Sequence, residues 1–470
     1  MRGGEWNVWR LAMAFGLIVS ALPMRAFAED AAATGIYEPN LPGGKATVKL
    51  PEEASNVQAG GAGRYLVLHL KKSGALAVFD VCEAKVAHFI QLPAGEVHYA
   101  VGQDRVFVAS SEKNSITRYN LATGNKEISV AGPEGGVQWM GMGAASMRPL
   151  IVASEKKTLL MDPMTLHGQD VHWDSWGGRD NNWPAPHMRV SGDGRSIVAL
   201  GGGWAGLEVV TVDGQKVVDH KKGGYIHDAE GAARISFDGQ LLFVPGNVFG
   251  PDVKDAGFEI DGYGIGTMSP NYFLALKGEG KGSSRRGGGG GKNAELKFYL
   301  AGEKRSIWTM KDVAEFAGSA LPPEQRLWFI PAANVLVGLA AGNNQIHLRR
   351  FNVVDALDAA GIDYLFVNST PPATAERGKI YSYRLDVMSK VGGVQYALAS
   401  APKNMTISPA GVVAWTVPAA FKEDEFKVIV SVKDKGGQEI FQPFTVRVEK
   451  PGSVAPPPPP GRPVQKGTRA

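Results

Sequence analysis

Short apolar runs, each introduced by a polar or turn-forming residue, recur along most of this chain. They read Tyr-Leu-Val-Leu-His after Arg64, Val-Phe-Val-Ala-Ser after Arg105, Leu-Ile-Val-Ala-Ser after Pro149 and Ser-Ile-Val-Ala-Leu after Arg195. The series continues with Leu-Leu-Phe-Val-Pro after Gln240, Tyr-Phe-Leu-Ala-Leu after Asn271 and Val-Leu-Val-Gly-Leu after Asn334. The leading residues stand 41, 44, 46, 45, 31 and 63 apart, a mean of 45. A continuous apolar run of about five residues bounded by turn residues is a buried strand. A period near 45 is the length of one four-stranded propeller blade.

The residues between the runs fill out the blade. After the first run come Ala75-Leu-Ala-Val-Phe-Asp80 and then Val86-Ala-His-Phe-Ile90, separated by polar turns. Ser191-Gly-Asp-Gly-Arg195 and Ser236-Phe-Asp-Gly-Gln240 match a Ser-x-Asp-Gly turn before the second strand. The 31-residue and 63-residue steps leave two solutions: seven blades with an abbreviated fifth, or six with 250–268 as an insertion; seven is preferred. Ala46-Thr-Val-Lys-Leu50 alternates and precedes the first full repeat, so it is expected to close the ring against the last blade. The block resembles bacterial propellers of the YVTN and WD-repeat kind over roughly 45–367, with a Gly-rich insertion at 278–291.

From Gly378 the texture changes to six or seven short alternating strands in some 75 residues, the size of an immunoglobulin-like sandwich. Pro402 ends a strand, Ser408-Pro409-Ala410-Gly411 makes a turn, and Trp415 supplies one large anchor between the sheets. The order Tyr381-x-Tyr383, Pro402-x-x-Met405-x-Ile407-Ser408-x-x-Gly411-x-x-x-Trp415 and Asp434-x-x-Gly437 resembles bacterial immunoglobulin-like domains related to dystroglycan-type, cadherin-like modules. That superfamily resemblance implies calcium held by clustered acids between domains. Here only Glu376, Asp386 and Asp434 stand near the expected rims, and no Asp-x-Asp motif accompanies them. Calcium wants six to eight oxygens, so calcium rests on the resemblance alone, and the residues themselves call for no cofactor. The expected organisation is all-β: a propeller over 45–367, a linker over 368–377, and an immunoglobulin-like domain over 378–450. The two modules are expected to be stable separately and to meet through a limited interface.

Composition adds compartment. Arg2 and Arg10 precede an apolar run at 11–22 and then Ala26-Phe27-Ala28, the order of a signal peptide over 1–28. The run is shorter than the roughly 20 residues a membrane span needs, so export without a transmembrane segment in the mature chain is expected: periplasmic, cell-surface or secreted. Cys82 is the single cysteine, which excludes an internal disulfide and reads as a small buried hydrophobe. Fifty basic residues against 46 acidic ones are interspersed, unlike the basic stripe of a nucleic-acid binder. The tail 451–470, with five consecutive prolines, has nothing to bury and is expected to be disordered.

No nucleophile elbow, phosphate loop, zinc-protease helix or dinucleotide fingerprint is present. One stretch gathers aromatic, acidic and amide side chains: Trp173, Asp174, Trp176, Asp180, Asn182 and Trp183, joined by Trp204 and by His227 and Asp228. Threading the blades puts these segments in loops of one face, and rings beside carboxylates and amides suit a glycan or peptide. The competing reading is that the tryptophans wedge between blades and the polar residues cap turns. Function therefore reads as an exported, non-catalytic binding or scaffolding protein with a protein or glycan partner at the cell surface. The alternative is a propeller enzyme of lyase, lactonase or quinoprotein type using His172, His187 and His227 on the same face. Oligomeric state is not legible.

Overall fold

A computed structural model describes residues 35–172, 188–200, 206–224, 233–277, 294–316 and 318–449. Among the described residues between 45 and 350 there are seven four-stranded antiparallel sheets, and each of the seven apolar runs is the second strand of one of them. The chain is therefore a seven-bladed propeller with an immunoglobulin-like domain behind it. Blade 1 shows why the runs are apolar throughout. Its middle strands, Tyr65–Leu70 and Ala75–Asp80, are almost wholly buried because neighbouring blades cover both faces, whereas the outermost strand, Lys85–Gln91, alternates. The short step in the repeat is an abbreviated fifth blade, with strands of only two to five residues from Arg234–Ile235 to Asp255–Glu259. The stretch at 250–268 thus supplies blade strands.

The twin turns behave alike. Ser191 Oγ donates to Asp193 Oδ1 at 2.6 Å, and the amides of Arg195 and Ser196 return to Asp193 Oδ1 and Ser191 Oγ at 3.0 Å. In the next blade Ser236 Oγ donates to Asp238 Oδ1 at 2.8 Å, and Leu241 N donates to Ser236 Oγ at 2.9 Å. Gly194 (φ 72°) and Gly239 (φ 75°) supply the left-handed backbone both turns need.

Lys45–Lys49 closes the ring, pairing antiparallel with Gln345–Arg350 in the register Lys45 to Arg349 through Lys49 to Gln345. The chain then leaves blade 7 through a helix, Val353–Ala359, which the strand pattern did not suggest. Asn352 caps it by accepting from Val354 N at 3.0 Å, and Val353, Ala356 and Leu357 pack into the core of blades 6 and 7.

The immunoglobulin-like domain pairs Thr374–Glu376 in parallel with 447–449, and continues antiparallel through Glu439–Glu449, Glu425–Lys433 and Gln395–Ser400. The facing sheet is Ile380–Arg384, Val412–Thr416 and Thr406–Ile407. Trp415 is buried between them, its indole N–H donating to Lys403 O at 3.1 Å and its ring 4.8 Å from that of Phe426. The stretch 368–377 contributes to this domain, since Ser369 is buried with its hydroxyl 2.8 Å from that of Tyr383. Contact with the propeller is apolar as well as polar. Phe366 and Met388 pack on the core of blades 6 and 7, Phe366 lies 5.7 Å from the Tyr272 ring, Gln103 Nε2 donates to Pro371 O at 3.0 Å, and Arg447 pairs with Asp162. Cys82 is buried, and burial pushes its thiol up to about 12. Among the described residues no helix is long and apolar enough to cross a membrane.

Candidate functional site

All nine residues singled out for ligand binding, Trp173, Asp174, Trp176, Asp180, Asn182, Trp183, Trp204, His227 and Asp228, lie outside the described residues. The strand ends that flank them are described. Val171 ends the outer strand of blade 3 and Met188 opens the inner strand of blade 4; Leu200 and Leu207 face each other across blade 4; Lys222 and Arg234 bracket the passage from blade 4 to blade 5. Antiparallel order places these ends together at one mouth of the central channel. Of the calcium candidates, Asp434 uses its oxygens on a turn, accepting from Gln438 N and Ser389 Oγ at 3.1 Å each. Glu376 lies in the strand paired with 447–449, and Asp386 N donates to Ser369 Oγ at 2.8 Å. Among the described residues no group of three or more His, Cys, Asp or Glu is arranged to hold a metal ion.

The inner strands of the blades surround a channel of about 930 Å³, within the size range of small-molecule sites. At the end opposite that mouth its floor is built from backbone. Ala62, buried and in the left-handed region, donates from blade 1 past blade 2 to Ala144 O at 2.9 Å. Ala145 N donates to Gly192 O at 2.9 Å, Asp193 N to Phe237 O at 2.9 Å, and Met268 N to Phe329 O at 3.0 Å, linking one loop to the next around the ring. The immunoglobulin-like domain docks on this same side, through Gln103, Asp162 and Tyr272. The floor has no spare volume. A Cβ on Gly143 would stand 2.4 Å from Gly194 N and 2.7 Å from Gly192 O, both backbone. Gly143→Ala is therefore expected to cost about 2 kcal/mol by overpacking; an unchanged midpoint in urea unfolding would mean that the floor yields freely.

The mouth is charged. Glu324, just before the inner strand of blade 7, accepts from Arg189 Nε and Nη2 at 3.0 and 2.8 Å through Oε1, and from Arg234 Nε at 2.7 Å through Oε2. Burial alone would raise its pKa, but the guanidiniums of Arg234 and Arg189 overcome that and bring it down to about 2. Arg234 also lies over the Tyr263 ring, Cζ 5.0 Å from its centre. Beside this cluster Asn56 Nδ2 donates to Gln325 Oε1 at 3.1 Å, and the Tyr99 hydroxyl lies 2.8 Å from Asn56 Oδ1. His69 and His98 are held below the ordinary histidine value by burial, so both are neutral at pH 7. The arrangement offers charge, amides and rings for holding a ligand. Sequence reasoning missed Arg189, Arg234 and Glu324, although a signal existed: Arg234 follows Arg189 by 45 residues and precedes Glu324 by 90, one and two blade periods.

Residues 364–449 match the family described as "Putative Ig domain". Among solved structures, the chain is similar to the β-propeller domain of Cps50 (Swd1) from Myceliophteria thermophila, at 12% identity over 65% of this chain and 98% of that one, TM-score 0.40. It is also similar to Kuenenia stuttgartiensis hydrazine synthase, at 11% identity over 64% and 96%, TM-score 0.43. The WD40 repeats of RRP9 share 10% identity over 67% and 99%, TM-score 0.44. No curated protein matches the chain. A propeller joined to an immunoglobulin-like domain is an architecture for binding or scaffolding in general.

Proposed function

We propose that this is an exported, non-catalytic binding or scaffolding protein whose propeller presents one loop face to a glycan or protein ligand at the cell surface. The observation that carries the reading is the asymmetry of the ring. One end of the channel is floored by hydrogen-bonded loops and covered on that side by contacts with the immunoglobulin-like domain, while the strand ends flanking 173–187, 201–205 and 225–232 converge on the other. Loops on a rigid scaffold are where binding residues concentrate, and those segments hold Trp173, Trp176, Trp183 and Trp204 beside acids and amides.

A glycan array probed with the mature protein tests the ligand class. If a carbohydrate binds, each stacked ring contributes on the order of 1 kcal/mol beyond contact area. Trp176→Ala or Trp183→Ala should then weaken binding several-fold and leave the melting temperature nearly unchanged. A loss of several kcal/mol of stability instead would make these rings wedges between blades. Export is checked by sequencing the mature N-terminus, expected at Glu29.

A further inference from the structure

Two carboxylates, one from each module, meet where the immunoglobulin-like domain docks. Asp104 stands in the turn between the first two strands of blade 2, next to Gln103, whose side-chain amide donates to Pro371 O at 3.0 Å. Glu449 ends the last strand of the domain, two residues after Arg447, which pairs with Asp162 of blade 3. Asp104 Oδ2 takes the Arg105 guanidinium at 2.8 Å. Its Oδ1 and both oxygens of Glu449 are buried with no hydrogen-bond partner among the described residues. Polar atoms in that position are nearly always paired, so three together mark a place where one more hydrogen is wanted. The charges around Asp104 on the propeller side are Arg105, Arg118 and Glu127, and Glu127 accepts from the Nε of each arginine at 2.7 Å. On the domain side they are Glu449, Arg447 and Glu376, the last lying across the ladder from Glu449.

We infer that docking of the immunoglobulin-like domain on the propeller takes up a proton at Asp104, against Glu449, so that the two modules hold each other more tightly in acid than at neutral pH. A protonated carboxyl has an O–H to donate, and it no longer repels the carboxylate beside it. Burial, against the pull of Arg105 and with the push of Glu449 and Glu127, raises the Asp104 carboxyl from 3.8 to about 6. Undocking returns it to water and to the ordinary value near 3.9. An acid that titrates higher in the docked state gives up its proton on undocking. Docking is therefore strongest below about pH 4, weakens as pH rises and levels off above about 6. The ion pair of the same interface acts outside this window. Asp162 is held below the usual carboxylate range, despite burial, by the Thr165 amide and Arg447, so that pair is lost only in stronger acid. The proton site lies between the modules and does not depend on what the loop face binds.

The test follows docking in the full mature protein by energy transfer between dyes on two exposed positions, Lys113→Cys in blade 2 and Lys435→Cys in the domain. Cys82 is buried with its thiol pushed up to about 12, so the dyes go to the introduced cysteines. Transfer is measured through a urea series from pH 4.5 to 7.5, with circular dichroism reporting the strands in the same samples. The docking constant should fall roughly twentyfold over that range, most of it below pH 6. Where transfer and strand signal are lost together, the same profile is read from their common midpoint. D104N removes the titrating group and should hold docking within about twofold across the range, and E449Q should show a smaller fall than the wild type. Equal docking of the wild type at pH 4.5 and 7.5, a D104N protein with the wild-type slope, or an E449Q protein with an undiminished fall would each overturn the inference. So would calcium that restores acid-strength docking at pH 7.5, since the two carboxylates would then hold a cation and not a proton.

Discussion

Removing residues 35–50 is expected to abolish cooperative folding of the ring. Lys45–Lys49 is the outer strand of blade 7, and without it Gln345–Arg350 becomes a free edge. The loss is not only of ladder hydrogen bonds. Leu41 and Leu50, on either side of the strand, are buried in the core that joins blades 7 and 1, with Val335, Val337 and Ile346. Each buried leucine is worth about 2 kcal/mol or more, and a folded protein holds only about 5–15 kcal/mol in all. The truncated chain should show a broad, early thermal transition by circular dichroism. It should also associate with increasing concentration in light scattering, because an unpaired strand edge templates pairing with another copy. A truncated protein that stays monomeric and melts where the full chain does would show that blade 7 is complete with three strands.

Substituting Glu324 by Gln is the second large effect. The carboxylate lies between Arg189 and Arg234, with side-chain exposures of 14%, 20% and 5% respectively. Taking the charge from Glu324 removes the attraction that both guanidiniums have to it, at a cost of about 3–5 kcal/mol. The pH dependence has a definite sign. Two guanidiniums pull Glu324 down from 4.5 to about 2 in the folded protein, so the folded state binds the proton more weakly than the unfolded chain. Its stabilisation is complete above pH 4.5 and is lost as pH falls through 2. The stability gap between wild type and E324Q, measured by urea unfolding, should shrink over that window and stay level above it. A gap that is constant from pH 7 to the acid limit would mean that the ion cluster contributes nothing and that the substitution acts through packing.

Much of the fold was legible because propeller blades are local structures repeated. Each apolar run could be recognised from five residues and its neighbours, and the Ser-x-Asp-Gly turns from four, since Ser191 to Asp193 and Ser236 to Asp238 close on themselves. The closing strand was legible from its alternation alone. The helix Val353–Ala359 was not, because seven residues give a single pair of turns and its only markers are Asn352 and the spacing of Val353, Ala356 and Leu357. The domain boundary was also blurred. The Ser-Thr-Pro-Pro composition of 369–372 reads as a connection, yet Ser369 is buried against Tyr383, and Leu365 belongs to the domain's own core.

What the sequence by itself determined is the one-dimensional part: an all-β chain, a period of 45, a ring closed by an early strand, and a sandwich anchored on Trp415. Periodicity and turn chemistry act within a few residues, so they can be read without coordinates. Only the tertiary structure decided what the ring encloses. Arg189, Arg234 and Glu324 are spaced by whole blade periods, but a period says nothing about which side of a pleated strand faces the axis, or that a residue from a connection will sit between two strands. The floor is of the same kind: Ala62 takes an unfavourable left-handed conformation because its amide finds Ala144 two blades away, a contact that exists only once the ring has closed.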